Sequence, residues 1–184
     1  MPTGFPVRRA LTALLLAAAL LVLPACGSDT ASTASHASSS SPSPTTSAQR
    51  QKLAKTRFVA NAGLAAGATY QWIVKPYKAG KFKKGAHGRT VALIKAGLAG
   101  TFAYNRLKAA SVNAKGDPTL NRLMAPVTAG ITALKDLPSK LRKGENPDST
   151  VNSFNDVINE VKDAGKSAGA DVKEKVPSLS QLGS

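Results

Sequence analysis

No acidic residue occurs between Thr30 and Gly116, a stretch that holds fourteen Lys or Arg. The chain as a whole has 184 residues, 10 Asp or Glu against 25 Lys or Arg, and a net charge of +15. One cysteine, Cys26, leaves no partner for an intrachain disulfide and too few thiols for a zinc cluster. The two histidines, His36 and His87, are far apart, and neither has a carboxylate close in sequence to orient it as a general base. There is no Gly-x-Ser-x-Gly nucleophile turn and no Gly-x-Gly-x-x-Gly loop. Gly165-Lys166-Ser167 copies the end of a phosphate loop, but Glu160 stands where its first glycine is required. Asp156, Glu160 and Asp163 each fall two places after an apolar contact of a helix, which turns them to solvent. With no catalytic residue, metal set or cofactor loop to name, the expectation is a protein that is not an enzyme.

Long apolar runs are equally scarce. The longest follows Arg8 and Arg9, extends from Ala10 to Pro24, and ends in Ala25-Cys26. Its 15 residues fall short of the roughly 20 needed to span a bilayer. A basic start, an apolar core and small residues before a lone thiol resemble a bacterial lipoprotein signal peptide. Leu23 and Ala25 occupy the aliphatic and small positions of that pattern, and Pro24 stands where Ala, Ser, Thr or Val is usual. The resemblance covers residues 1–26 only. It implies cleavage after residue 25, a diacylglyceryl group on Cys26, and location at the outer face of the cell membrane. Two acyl chains, at about 0.8 kcal/mol per buried methylene, anchor stably where one is marginal.

Residues 26–48 read as a disordered tether. From Gly27 to Gln49, thirteen residues are Ser or Thr and none is Val, Leu, Ile or aromatic, so nothing is available to offset chain entropy. As a flexible coil the segment reaches roughly 25 Å. His36 lies within it as a solvated side chain.

Residues 49–184 are enough for one domain with its own core. Punctuation predicts four helices and no strand, hence an all-α, antiparallel four-helix bundle. The first spans Gln49–Val74, with Pro76 ending or kinking it; the second spans Arg89–Asn113. Asp117-Pro118 starts the third, which continues to Lys143 unless Pro138 bends or ends it early. Asn146-Pro147 starts the fourth, which reaches Lys175. Apolar positions recur every three or four residues in the third (Leu120, Leu123, Val127, Ile131) and fourth (Val151, Phe154, Ile158, Val161). The uncharged stretch Phe58–Val74 contains Gly63-x-x-x-Gly67, the spacing of close helix pairs, and reads as a buried helix. Trp72 reads as core or helix-end packing. Asp136 with Lys140, and Asp171 with Lys175, read as exposed helical pairs.

The charge is divided along the chain. From Asp117 onward nine basic residues balance nine acids, and loss of Arg8 and Arg9 with the signal lowers the total from +15 to +13. Nearly all of that lies in the first two helices and their connection, where Lys75, Lys78, Lys81, Lys83, Lys84 and Arg89 alternate with Tyr77, Phe82 and His87. Gly80, Gly85 and Gly88 are read as giving the loop flexibility. Cations mixed with aromatic rings suit an anionic surface such as lipid headgroups or a phosphate-rich wall polymer. Export argues against nucleic acid. The plain alternative is that these lysines only keep an alanine-rich domain soluble, although a merely solvated face mixes signs. A further alternative is a carrier with an apolar cavity beside Leu64, Leu98 or Phe102.

Overall fold

Short side chains that accept backbone N–H groups, Thr46, Asp117 and Ser178, set three of the helix starts among the described residues. The structure, a computed structural model, describes residues 46–183. The expected signal peptide (1–25), Cys26 and nearly all of the tether lie outside the described residues. Thr46 caps the first helix and Gln49 returns a hydrogen bond to it, so α1 (Ser47–Thr69) begins two residues before the expected Gln49. The helical path then passes through a π-turn (Tyr70–Val74) into α2 (Lys75–Lys78). Pro76 neither ends nor breaks this rod. The Lys75 N–H bonds the Tyr70 carbonyl five residues back, and such a widened turn relieves the clash a proline ring makes with the carbonyl four before it.

The second long helix, α3, covers Arg89–Ala114. Asp117 caps α4 (Pro118–Ala133) through a 2.8 Å bond from the Leu120 N–H to its Oδ1. The expected third helix is two: the chain leaves the helical path at Leu134–Asp136 and resumes as α5 (Leu137–Lys143), with Pro138 in its first turn. Pro138 has no N–H to bond the Leu134 carbonyl, which accepts from Leu137 instead. α5 stops at Gly144 (φ 71°), and α6 (Pro147–Ser167) follows at the expected Asn146-Pro147 start. α6 ends eight residues before the expected Lys175. Gly169 takes the left-handed φ of 66°, and the Ala170 N–H closes on the Gly165 carbonyl at 2.8 Å, a glycine stop. The chain then runs without regular structure to Ser178, which caps the short α7 (Leu179–Leu182). All regular structure among the described residues is helical, so the fold class is all-α.

α1 and α3 share the largest contact in the molecule. Their facing residues are small: Ala54, Ala62, Ala65 and Ala66 on one, Ala96, Ala99, Ala103 and Ala110 on the other, all buried. Asn61 Oδ1 accepts from Arg106 at 3.4 Å, Lys95 lies over the Trp72 ring, and a Cβ at Gly116 would sit 2.7 Å from that of Ala54. Larger side chains fill the space toward α6. Fully buried Phe58 of α1 packs on Gly165, and fully buried Phe154 of α6 packs on Gly100 of α3. Each ring occupies volume that a side chain at the glycine would need, which is the interlocking that close-packed interiors require.

Gly63 and Gly67 receive an extended chain, not a helix. The Lys175 N–H bonds the Gly63 carbonyl at 2.8 Å, and a Cβ at Gly67 would overlap the Lys175 carbonyl. Residues 170–175 therefore lie along the bare side of α1, with Ala170 and Val172 buried. The expected Asp171–Lys175 helical pair does not form because no helix reaches it, and Asp136 makes no ion pair with Lys140. The exposed pairs that do form are Lys162–Glu174 at 3.1 Å and Lys143–Glu145 at 4.0 Å. One pair is more protected. Asp117 is buried, and its Oδ2 lies 3.6 Å from Lys55 Nζ, which also donates to the Ala168 carbonyl at 2.7 Å. That lysine joins α1, the start of α4 and the end of α6. No helix among the described residues is long and apolar enough to cross a membrane.

Gly67→Ala tests the crossing. In an isolated helix this change is stabilising by about 1 kcal/mol. Here the methyl group meets backbone, and overpacking of about 1–3 kcal/mol outweighs the gain. A lower urea midpoint is expected; a raised one would show that the C-terminal segment does not lie there.

Candidate functional site

The connection between α2 and α3 is a ladder of tight turns. Carbonyls of Pro76, Tyr77, Gly80, Lys83 and Ala86 accept in succession from Lys81, Gly80, Lys83, Ala86 and Arg89. Gly80, Gly85 and Gly88 have φ of 70°, 81° and 73°, so they supply the left-handed turns of this connection. The aromatic residues are anchors, not interfacial rings. Phe82 is buried in the core, half-buried Tyr77 packs against it, and their ring centroids are 6.2 Å apart.

The six cations singled out in the sequence have unlike surroundings. Lys75, Lys78, Lys81, Lys83 and Lys84 are exposed, and none makes a hydrogen bond or ion pair among the described residues. Arg89 is committed. Its Nε donates to the Phe82 carbonyl at 2.9 Å, and its guanidinium packs against Gly144 at the end of α5. It ties the connection to the body of the molecule and also borders the depression shared by Lys78, Lys83 and Lys84.

Two depressions divide the five lysines. Lys78, Lys83 and Lys84 border one of about 430 Å³ together with Tyr77 and Asp148. Asp148 comes from the first turn of α6, where a carboxylate also suits the helix dipole. Its carboxylate, chiefly as hydrogen-bond acceptor for the Tyr77 hydroxyl and then with help from desolvation, holds the phenol above its usual value of 10.0. This face therefore carries both signs.

Lys75 and Lys81 border the other depression, an open groove of about 600 Å³. Trp72, Pro76, Val91 and Ala92 line its apolar part, and no lining residue is acidic. Three polar residues outside the six expected cations stand here as well: Gln71, His87, and Lys95 with its Nζ 5.9 Å from the Trp72 ring centroid. Helical spacing makes the grouping readable. Trp72, Lys75, Pro76 and Ala79 recur along one face of the first rod, and Val91, Ala92 and Lys95 along one face of α3. Trp72 was expected as core or helix-end packing; half-buried, it is both packing and groove wall. The groove opens on the start of α3, whose cap Gly88 has no side-chain acceptor and whose first turn has no acid. Beyond it Val91, Ile94 and Leu98 are 56%, 47% and 36% exposed, an apolar stripe at helical spacing.

A third depression, of about 240 Å³, lies between Tyr104 and Met124. None of the three is lined by Leu64, Leu98 or Phe102, where an apolar cavity was expected. Phe102 is buried beneath the Arg106 guanidinium, 4.9 Å from its ring centroid. Among the described residues no three His, Cys, Asp or Glu side chains come together to hold a metal. No protein family, no curated protein and no solved structure matches this chain.

Two measurements check this geometry. Arg89→Gln removes a charged donor from a half-buried carbonyl, so a loss of about 1.5–3 kcal/mol is expected by thermal unfolding, against about 0.5 kcal/mol or less for Lys83→Gln. Equal effects would mean that Arg89 is not a strap. The Tyr77 phenol favours its neutral form in the fold, so its contribution to stability is complete below pH 10 and disappears as pH rises through the raised value. Of the three tyrosines, one should ionise late in an ultraviolet titration, and Asp148→Asn should return it to the ordinary range.

Proposed function

We propose that this chain is a non-enzymatic lipoprotein of the bacterial envelope, exported and held at the outer face of the cell membrane by a diacylglyceryl group on Cys26. Its helices form an antiparallel four-helix bundle, counting the α1–α2 rod, α3, α4 with α5, and α6. Contacts of Ala54 with Gly116, Asn61 with Arg106 and Trp72 with Lys95 support the opposed direction of the first two, since one number falls as the other rises. The basic first half faces an anionic surface.

The observation that carries this reading is the group of five exposed, unpaired lysines in a half of the chain that has no acid after Asp29. A surface that only needed to be wetted would mix signs. Near an anionic leaflet each lysine contributes about 1 kcal/mol, and the attraction fades within a Debye length of about 10 Å at 0.1 M salt. Three of the turns that hold the lysines are fixed by glycine, so the charges are displayed on an ordered scaffold.

The test is fractionation of the expressed full chain together with vesicle sedimentation. Wild type should stay with the membrane in high salt, a Cys26→Ala chain made without residues 1–25 should be released, and intact mass of the wild type should show the diacylglyceryl addition on a chain beginning at Cys26. The released Cys26→Ala chain should sediment with anionic vesicles at low salt and not with neutral ones. Equal sedimentation with both would remove the anionic partner, and a wild-type chain starting at Met1 would remove the anchor.

A further inference from the structure

The groove beside Trp72 differs from the rest of the basic surface in having something to offer an apolar partner. Cations alone would serve any polyanion. A wall polymer of sugars and phosphates would gain nothing from Trp72, Pro76, Val91 and Ala92, nor from the exposed Val91–Ile94–Leu98 stripe that continues along α3. A phospholipid uses both. Its acyl region covers apolar side chains, and its phosphate meets the cations at the rim.

We propose that this groove is a docking site for the anionic phospholipids of the leaflet, seating a headgroup phosphate among Lys75, Lys81 and Lys95 with the upper acyl chain against Trp72 and Val91. This rests on the reading of the basic half as facing an anionic surface, and narrows it to one face and one partner. Charge complementarity selects the occupant. The groove has three lysines and no acid beside its apolar wall, whereas the depression bordered by Lys78, Lys83, Lys84 and Arg89 reaches the same net charge only with Asp148 set among its cations, where it repels a phosphate. Two further features suit a phospholipid. The start of α3 at the groove has neither a side-chain cap nor an acid, which leaves its positive end uncompensated. The Trp72 indole Nε1–H is enclosed without an acceptor, so the ring gives up no hydrogen bond if it shifts to meet a lipid. The stripe on α3 then lies at the depth of the headgroups, as it does in helices that rest on a membrane.

Trp72 is the only tryptophan in the chain, so its emission reports the groove directly. Residues 26–184 carrying Cys26→Ala, and so lacking the apolar run at 10–24, are added to vesicles of phosphatidylcholine alone, or with phosphatidylglycerol, each with or without bromine on the acyl chains. Quenching by brominated chains is expected only with phosphatidylglycerol. Lys75→Gln, Lys81→Gln and Lys95→Gln together should weaken it roughly a hundredfold, from about tenfold or less per lysine. Lys78→Gln, Lys83→Gln and Lys84→Gln together should weaken it by about tenfold or less, because these lysines stand beside Asp148 and outside the groove. Circular dichroism on both triple variants shows that each is folded. Sedimentation with anionic vesicles while Trp72 remains unquenched would overturn the groove and leave the basic surface standing. Loss of sedimentation would sink both. Equal weakening by the two sets of substitutions, or quenching in phosphatidylcholine alone, would also overturn the groove, as would displacement of the vesicles by inorganic phosphate at millimolar concentration.

Discussion

The close approach of α1 and α3 is the constraint on which the rest of the molecule depends. Buried alanines line both helices, and small side chains let two helix backbones approach closely. Such an interface gains from many small contacts, each worth about 0.1–0.2 kcal/mol, more than from any one buried group. Its weakness is that alanine covers little area. Phe58 and Phe154 compensate, each reaching from one helix onto a glycine of another. The turn ladder at 79–88 follows from the same approach, since two rods so near one another leave a connection little room. Left-handed glycines and the Arg89 strap meet that requirement, and the lysines are what remains outside.

Buried polar groups are few, and they hold ends together more than they stabilise the middle. Asp117 completes the cap of α4 and neutralises Lys55, while Lys55 uses another of its protons on the final turn of α6. A cap of this type contributes about 0.5–2 kcal/mol. The first half of the chain has no acid of its own here, so its one protected ion pair depends on the first acid of the second half. Thr69 Oγ1, like the Trp72 indole nitrogen, is buried without a partner close to the π-turn. Both lie where the helical path departs from regular geometry.

Helix starts were legible because their chemistry is local. Asp117-Pro118 and Asn146-Pro147 announced α4 and α6 to the residue, and the Thr46–Gln49 capping box, which stands in the sequence, was passed over. Ends were harder. Ala168 and Val172 continue the apolar rhythm of α6, yet Ala168 is its cap and Val172 is buried by a chain that has already left the helix at Gly169 and is crossing α1. Periodicity reports burial, and here two backbone forms share one rhythm. The small-residue spacing of Gly63 and Gly67 correctly marked a close approach, but it could not say that the visitor was an extended segment more than a hundred residues away. The cationic set was found as a run in sequence. The groove combines residues from three turns of helix and a loop, so Lys95 fell outside that run and Arg89, though inside it, turned inward.

The π-turn at Tyr70–Val74 gives the rod one residue more than regular α-helical spacing requires. Each residue advances a helix by about 100°, so everything after Val74 is rotated by that angle relative to an uninterrupted rod. Pro76 and Tyr77 owe their headings to it, one toward the groove wall and the other toward Phe82 and Asp148. The compass bearing of the basic end is thus set by a single surplus amino acid several positions upstream, and shortening that stretch by one would swing the whole display a quarter-turn or more away from where it now points.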